Sequence, residues 1–172
     1  MKKFLPIVLL GIGLLVVIAA GIISSAKNKP LDSEDSDQVA EIPVDKRPTV
    51  SLVPVLDLKP KSGLWLRLTI DDIKVDGAFS LDYELLYYTS DGKQGGVKSA
   101  VELGDKKTIE RDIYMGSESN GKFTQDKGVK NGTLTLKFRD NGGKVIGKLL
   151  TDFTLDQTTK GYNLTLNPFS SN

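Results

Sequence analysis

An all-β fold, an antiparallel β-sandwich of immunoglobulin or fibronectin type III character, is what this sequence predicts from Thr49 to Asn172, on three observations. Apolar residues recur with period two, as in Phe79, Leu81, Tyr83, Leu85 and Tyr87 against Ser80, Asp82, Glu84, Leu86 and Tyr88, so one face is set for burial. No run of helical periodicity interrupts that pattern after Pro48. Turn signals such as Asp91-Gly92, Gly95-Gly96 and Asp140-Asn141-Gly142-Gly143 separate the apolar runs at short intervals. A small barrel is the competing architecture.

Ahead of that body, Phe4 to Ile23 is a run of 20 residues without a charge. At about 1.5 Å per residue it spans roughly 30 Å as a helix, the thickness of a bilayer's hydrocarbon core, which predicts a membrane anchor over residues 1–26. The alternative is a secretion signal cleaved near Ala26, where Ser24 and Ala26 supply small residues. The run exceeds the apolar cores of about 7–15 residues found in cleaved signals, which favours the anchor. Lys2 and Lys3 nearly balance Lys27 and Lys29, and the amino terminus tips the first side positive. A single-pass chain with its C-terminal body outside the cytoplasm is the expected layout. Residues 27–48 hold Pro30, Pro43 and Pro48 with Asp32, Glu34, Asp35 and Asp37, and read as a flexible acidic linker that builds no core.

Within residues 49–172 the strands are expected in the following order. Val50 to Leu58 carries Pro54, which cannot donate to a ladder and marks an edge. Leu64 to Ile70 puts Leu64, Leu66, Leu68 and Ile70 on one face and Trp65, Arg67 and Thr69 on the other. The Asp71–Gly77 turn leads into Phe79 to Thr89, whose inward set begins at Phe79. Val97 to Leu103 follows, then Thr108 to Met115, where Arg111 interrupts the alternation. Gly116 to Gly132 is expected to be the longest loop. Thr133 to Arg139 buries Leu134, Leu136 and Phe138. Lys144 to Leu155 buries Leu149, Thr151, Phe153 and Leu155, with Gly147 marking a bulge. Tyr162, Leu164 and Leu166 form the last strand before Pro168.

The runs YELLYYTSDGKQGGV and IERDIYMGSESNGKFTQDKGVKNGTLTLKFRDNGGKVIGKLLTDFTL, together reaching from Tyr83 to Leu155, resemble an uncharacterised β-rich domain of envelope-anchored proteins from reduced-genome bacteria. The resemblance implies a β-rich extracytoplasmic domain and no particular activity. It also implies two cysteines near Glu118 and Phe123, and this chain departs from that pattern.

The sequence has neither cysteine nor histidine. Disulfides, thiolate and imidazole metal sites, histidine-based triads and histidine pH switches are therefore excluded. Catalysis would have to rest on carboxylates or lysine. Asp82 and Glu84 lie about 7 Å apart on one strand face and are the nominal pair for a carboxylate-dependent hydrolase of cell-surface glycans. Two acids on an outward strand face need no explanation beyond solubility, which is the favoured reading. Asp71, Asp72 and Asp76 with Gly77 match no calcium-loop spacing and read as turn formers. Lys122, Lys127 and Lys130 form no basic patch in a chain of 23 basic and 22 acidic residues, which argues against nucleic acid. Asn131-Gly132-Thr133 and Asn163-Leu164-Thr165 match the short glycosylation pattern and carry no argument. No cofactor or metal is expected.

A non-catalytic binding or structural module of the cell envelope is the expected function, with an accessory subunit of a membrane complex as its alternative. Trp65, Leu86 and Tyr88 are the expected partner-binding residues. Antiparallel pairing of their two strands through the Asp71–Gly77 turn would gather them into one aromatic patch, suited to an envelope protein or a glycan. The first strand or the linker folding over the patch is the competing expectation.

Overall fold

Strands are fixed here by side chains that alternate between core and surface, and the computed structural model, which describes residue 39, residues 42–58 and residues 62–169, has ten of them among those residues. β1 (Thr49–Leu56), β2 (Leu64–Asp71) and β5 (Ile109–Tyr114) form a three-stranded sheet in the order β1-β2-β5. β3 (Ser80–Thr89), β4 (Gln94–Glu102), β8 (Val129–Arg139), β9 (Val145–Thr158) and β10 (Gly161–Leu166) form a five-stranded sheet in the order β10-β9-β8-β3-β4. β6 (Gly116–Ser119) and β7 (Lys122–Gln125) make a separate hairpin. Every pairing is antiparallel.

One hydrophobic core joins the two larger sheets. Leu64, Leu66, Leu68 and Ile70 of β2 enter it with Leu81, Tyr83, Leu85 and Tyr87 of β3, Leu134, Leu136 and Phe138 of β8, and Leu149, Phe153 and Leu155 of β9. Each such side chain contributes about 1.5–3 kcal/mol when removed from water. Thr151 shares that face as expected. Its hydroxyl donates to the Asn167 carbonyl at 2.5 Å, so the buried oxygen has a partner. Pro54 sits on β1, an edge strand. Phe138 faces Gly147 and Arg139 faces Val145, which leaves Ile146 as the extra residue of a bulge beside Gly147. Asp140 closes the β8–β9 turn, its Oδ1 accepting the Gly142 and Lys144 N–H groups, each at 2.9 Å.

Three expectations are corrected. Phe79 is 43% exposed, because it precedes β3 at the end of the sheet, although its backbone still bonds Arg139 and Leu103. The stretch from Gly116 to Gly132 is no open loop, since it holds the β6–β7 hairpin and the beginning of β8, from Val129 onward. Residues 42–48 belong to the folded body, which forms one compact unit from Val39 onward. Ile42 is 3% exposed and lies over Gly147, where an added Cβ would meet Ile42 Cγ1 at 2.7 Å. Arg47 Nε donates to the Ile42 carbonyl at 3.0 Å, and Lys46 in a 3-10 turn (Val44–Lys46) pairs with Asp76.

No helix among the described residues is long and apolar enough to cross a membrane. The anchor expected from Phe4 to Ile23, the cleavage point near Ala26 and the linker through Gln38 lie outside the described residues.

The β3–β4 turn carries a pH-sensitive pair. Asp91 accepts from Thr89 Oγ1 at 2.5 Å and meets Lys93 Nζ at 2.8 Å. Lys93 first, and Thr89 second, lower the Asp91 carboxyl from 3.8 to about 2. A lowered carboxylate stabilises the fold above its unfolded pKa and loses that contribution as pH falls through the folded value. The turn is therefore expected to keep its order at pH 5 and to loosen between about pH 4 and 2. An NMR titration of Asp91 checks this, with Lys93→Ala expected to move its midpoint upward.

Candidate functional site

Trp65 is turned outward because its neighbours Leu64 and Leu66 are committed to the core. Register places it between Val55 of β1 and Tyr114 of β5. Its ring lies 5.1 Å from that of Tyr114 at 58°, and Tyr114 meets Phe123 of β7 at 5.7 Å and 76°, an edge-to-face contact. Two glycines make room for the central ring. A Cβ at Gly116 would lie 2.7 Å from the Tyr114 ring and would strike the Thr124 carbonyl, and one at Gly63 would lie 3.3 Å from the same ring. Gly63 also has φ +127°, which side chains rarely adopt.

The row continues onto β1 through Val55 and Val53, the latter 50% exposed. Its rim is polar. Arg67, two residues from Trp65 on the same face, grips Asp112 with Nε to Oδ1 at 2.8 Å and Nη2 to Oδ2 at 3.0 Å, with Glu110 3.6 Å away. That fork raises the Arg67 pKa and lowers that of Asp112, hydrogen bonding being the largest cause for both.

The hairpin that supplies Phe123 is tied back into the body. Tyr87 donates its hydroxyl to Asp126 Oδ2 at 2.7 Å, and the Asp126 N–H reaches the Met115 carbonyl at 3.0 Å. Burial, reinforced by the Asp126 bond, pushes the Tyr87 phenol well above its ordinary range. Glu118 and Phe123, the positions at which the sequence resemblance implies cysteines, are direct cross-strand partners in this hairpin.

Leu86 and Tyr88 are elsewhere. They stand on the outer face of the five-stranded sheet, Tyr88 being 46% exposed and Leu86 lying across Gly96. β2 and β3 do not pair, because the chain changes sheets at the Asp71–Gly77 turn. The single patch of Trp65, Leu86 and Tyr88 is therefore corrected to two separate surfaces on different sheets. β1 does not cover Trp65 either, since it is a neighbour in the same sheet. Shallow depressions of ≈ 380 Å³ beside Leu86 and Glu84, and of ≈ 240 Å³ beside Tyr88 and Asp152, flank the β3 ridge.

Asp82 is engaged by Arg139, Nε to Oδ2 at 2.7 Å, and Glu84 lies at the rim of the larger depression. Asp72 pairs with Lys74 at 2.6 Å and Asp76 with Lys46. Among the described residues no group of three acidic side chains is placed to hold a metal ion. Tyr114 and Phe123 carry little signal in the sequence, Tyr114 standing between the apolar Ile113 and Met115, and Phe123 between Lys122 and Thr124.

Comparison with protein-family models, with curated proteins and with solved structures finds no match.

Proposed function

We propose that this chain is a membrane-anchored, extracytoplasmic binding module of the cell envelope, with an immunoglobulin-like β-sandwich as its body. The strand order supports the finer fold reading. With β1 to β5 taken as strands A, B, C, C′ and E, and β8 and β9 as F and G, A-B-E faces G-F-C-C′, and β10 extends the second sheet. The apolar run from Phe4 to Ile23 supports the anchor. The body's chain enters beside the Asp71–Gly77 turn, where Lys46 meets Asp76, whereas Trp65, Tyr114 and Phe123 lie at the other end of the strands.

The observation that carries the binding role is the row Val55, Trp65, Tyr114 and Phe123, rimmed by the Arg67–Asp112 fork. Holding Tyr114 there occupies two glycines, which weaken a strand or loop unless something is gained. Tryptophan, tyrosine and arginine dominate the energetics of protein interfaces, so an envelope protein is the partner this surface fits.

Trp65→Ala in the full-length chain is expected to reduce capture of the partner from envelope extract at least about tenfold, the effect of a hot-spot aromatic. Because the ring is only partly buried, the loss of stability should stay near 1–2 kcal/mol, below the roughly 3–5 kcal/mol of a core aromatic. Equal capture by parent and variant would remove the row from the interface. Loss of the parent chain's capture on competition with free oligosaccharide alone would shift the partner class to a glycan. Cell fractionation with external protease tests the location, and recovery of the intact chain in the soluble cytoplasm would overturn it.

A further inference from the structure

A sheet edge exposes unpaired N–H and C=O groups, and proteins defend such edges with charged side chains, above all lysine, or with proline, bulges, short strands or inward-pointing charges. At the four edges of the two larger sheets, three strands carry a proline, a short length or an inward-pointing charge. β1 contains Pro54. β10 has six residues and runs beside β1. β5 sets the exposed Arg111 on the core-facing side between the buried Ile109 and Ile113. β4 has no proline, bulge or inward-pointing charge, and its outward charges, Lys98 and Glu102, are of opposite sign, so an arriving strand can match them. The nine residues of β4, Gln94–Glu102, pair with β3 in one unbroken register.

The direction of its backbone groups follows from its two ends. Leu103 N–H bonds the Phe79 carbonyl and Thr89 N–H bonds the Lys93 carbonyl, each at 2.9 Å, so the odd-numbered residues face β3. Gly96, Lys98, Ala100 and Glu102 therefore turn both N–H and C=O to the open edge. Lys106 Nζ sits 3.0 Å from the outward Glu102 carbonyl, a contact from an exposed side chain that an arriving strand can displace. The side chains of these four residues are exposed as well.

We propose that two copies of this chain pair through β4, antiparallel and centred on Ala100. In that register Ala100 meets the second copy's Ala100, and Lys98 meets the second copy's Glu102, once on each side of the axis. Opposite charges directly across a ladder stabilise it, and like charges oppose it. Centring on Lys98 instead would set lysine against lysine, so the charges select the Ala100 register. Glu84, already across from Lys98 within the chain, adds a second carboxylate on the same face. Val97 and Ser99, half-exposed on the core-facing side, would be flanked by the second copy's Leu103 and Val101. The pairing joins the two five-stranded sheets into one and is independent of the binding role assigned to Trp65.

The absence of cysteine makes the test simple, because one introduced thiol has no competitor. Ala100→Cys in the full-length chain, purified in mild detergent and gently oxidised, is expected to run as a disulfide-linked dimer, since directly paired Cα atoms lie about 5.5 Å apart. Thr165→Cys on β10 controls for random collision. In the Ala100→Cys background, Lys98→Glu should lower the dimer yield at least about fivefold, and adding Glu102→Lys should restore it. No dimer from Ala100→Cys, an equal yield from Thr165→Cys, or no rescue by the charge swap would each overturn the pairing. A cross-link in intact cells to a chain of different mass would overturn it in favour of another occupant of the same edge.

Discussion

Gly132→Ala is expected to lower stability by about 3 kcal/mol, the upper end of what overpacking a core costs. Gly132 is buried on β8, opposite Tyr87 of β3 on one side and Phe153 of β9 on the other. An added Cβ would strike the Leu86 carbonyl and would lie 2.6 Å from the Phe153 ring. The carbonyl belongs to the ladder and cannot rotate away, and Phe153 is fully buried, so neither neighbour can give way cheaply. Thermal melting should show a fall of roughly 10 °C for a domain of this size. Gly142→Ala is the control. There the Cβ would meet only Asp140 Oδ1 at 3.3 Å, and the change should stay within about 0.5 kcal/mol. A Gly132→Ala protein that melts with its parent would contradict the contact of Phe153 with the β8 backbone.

Ile42→Ala should cost about 2–4 kcal/mol, the range for truncating a buried branched side chain. Ile42 packs on the bare backbone of Gly147, so its truncation leaves that contact empty. A chain shortened to begin at Thr49 removes the same contact together with the Lys46–Asp76 pair and the Arg47 bond to the Ile42 carbonyl. Its loss should equal or exceed that of Ile42→Ala. Urea unfolding checks both, with the midpoint expected to fall while the slope of the point variant stays unchanged. A shortened chain as stable as the parent would return residues 42–48 to the tether.

Faces were legible in the sequence where alternation was long. The inward sets of β2, β8 and β9 follow directly from Leu64 to Ile70, Leu134 to Phe138 and Leu149 to Leu155, because period-two burial leaves one reading. The Gly147 bulge and the Asp140 turn were legible from backbone chemistry alone. Pairing was not. Chain order suggests β2 beside β3, yet β2 pairs with β5, its Leu66 meeting Ile113, and nothing local in either strand encodes that choice. The aromatic row was hidden for the same reason, since Tyr114 reaches Trp65 only through that pairing. Ile42 was hidden differently, as one apolar residue among prolines and acids whose burial depends on a glycine far along the chain.

The β3–β8 ladder has a consequence in time. Ser80 pairs with Arg139 and Leu85 with Leu134, so β3 cannot be flanked on that side until the chain beyond Arg139 has been made. At synthesis rates of about 5–20 residues per second, that interval is of the order of several seconds. During it, Leu81, Tyr83, Leu85 and Tyr87 on one face and Leu86 and Tyr88 on the other have β4 as their only sequence-adjacent strand partner. Such distant pairing slows folding, because loop closure must be met before the contacts reward it. The nascent body is therefore most prone to aggregate between the emergence of β3 and that of β8, and a holding factor acting in that window would raise its yield more than one acting on the completed chain.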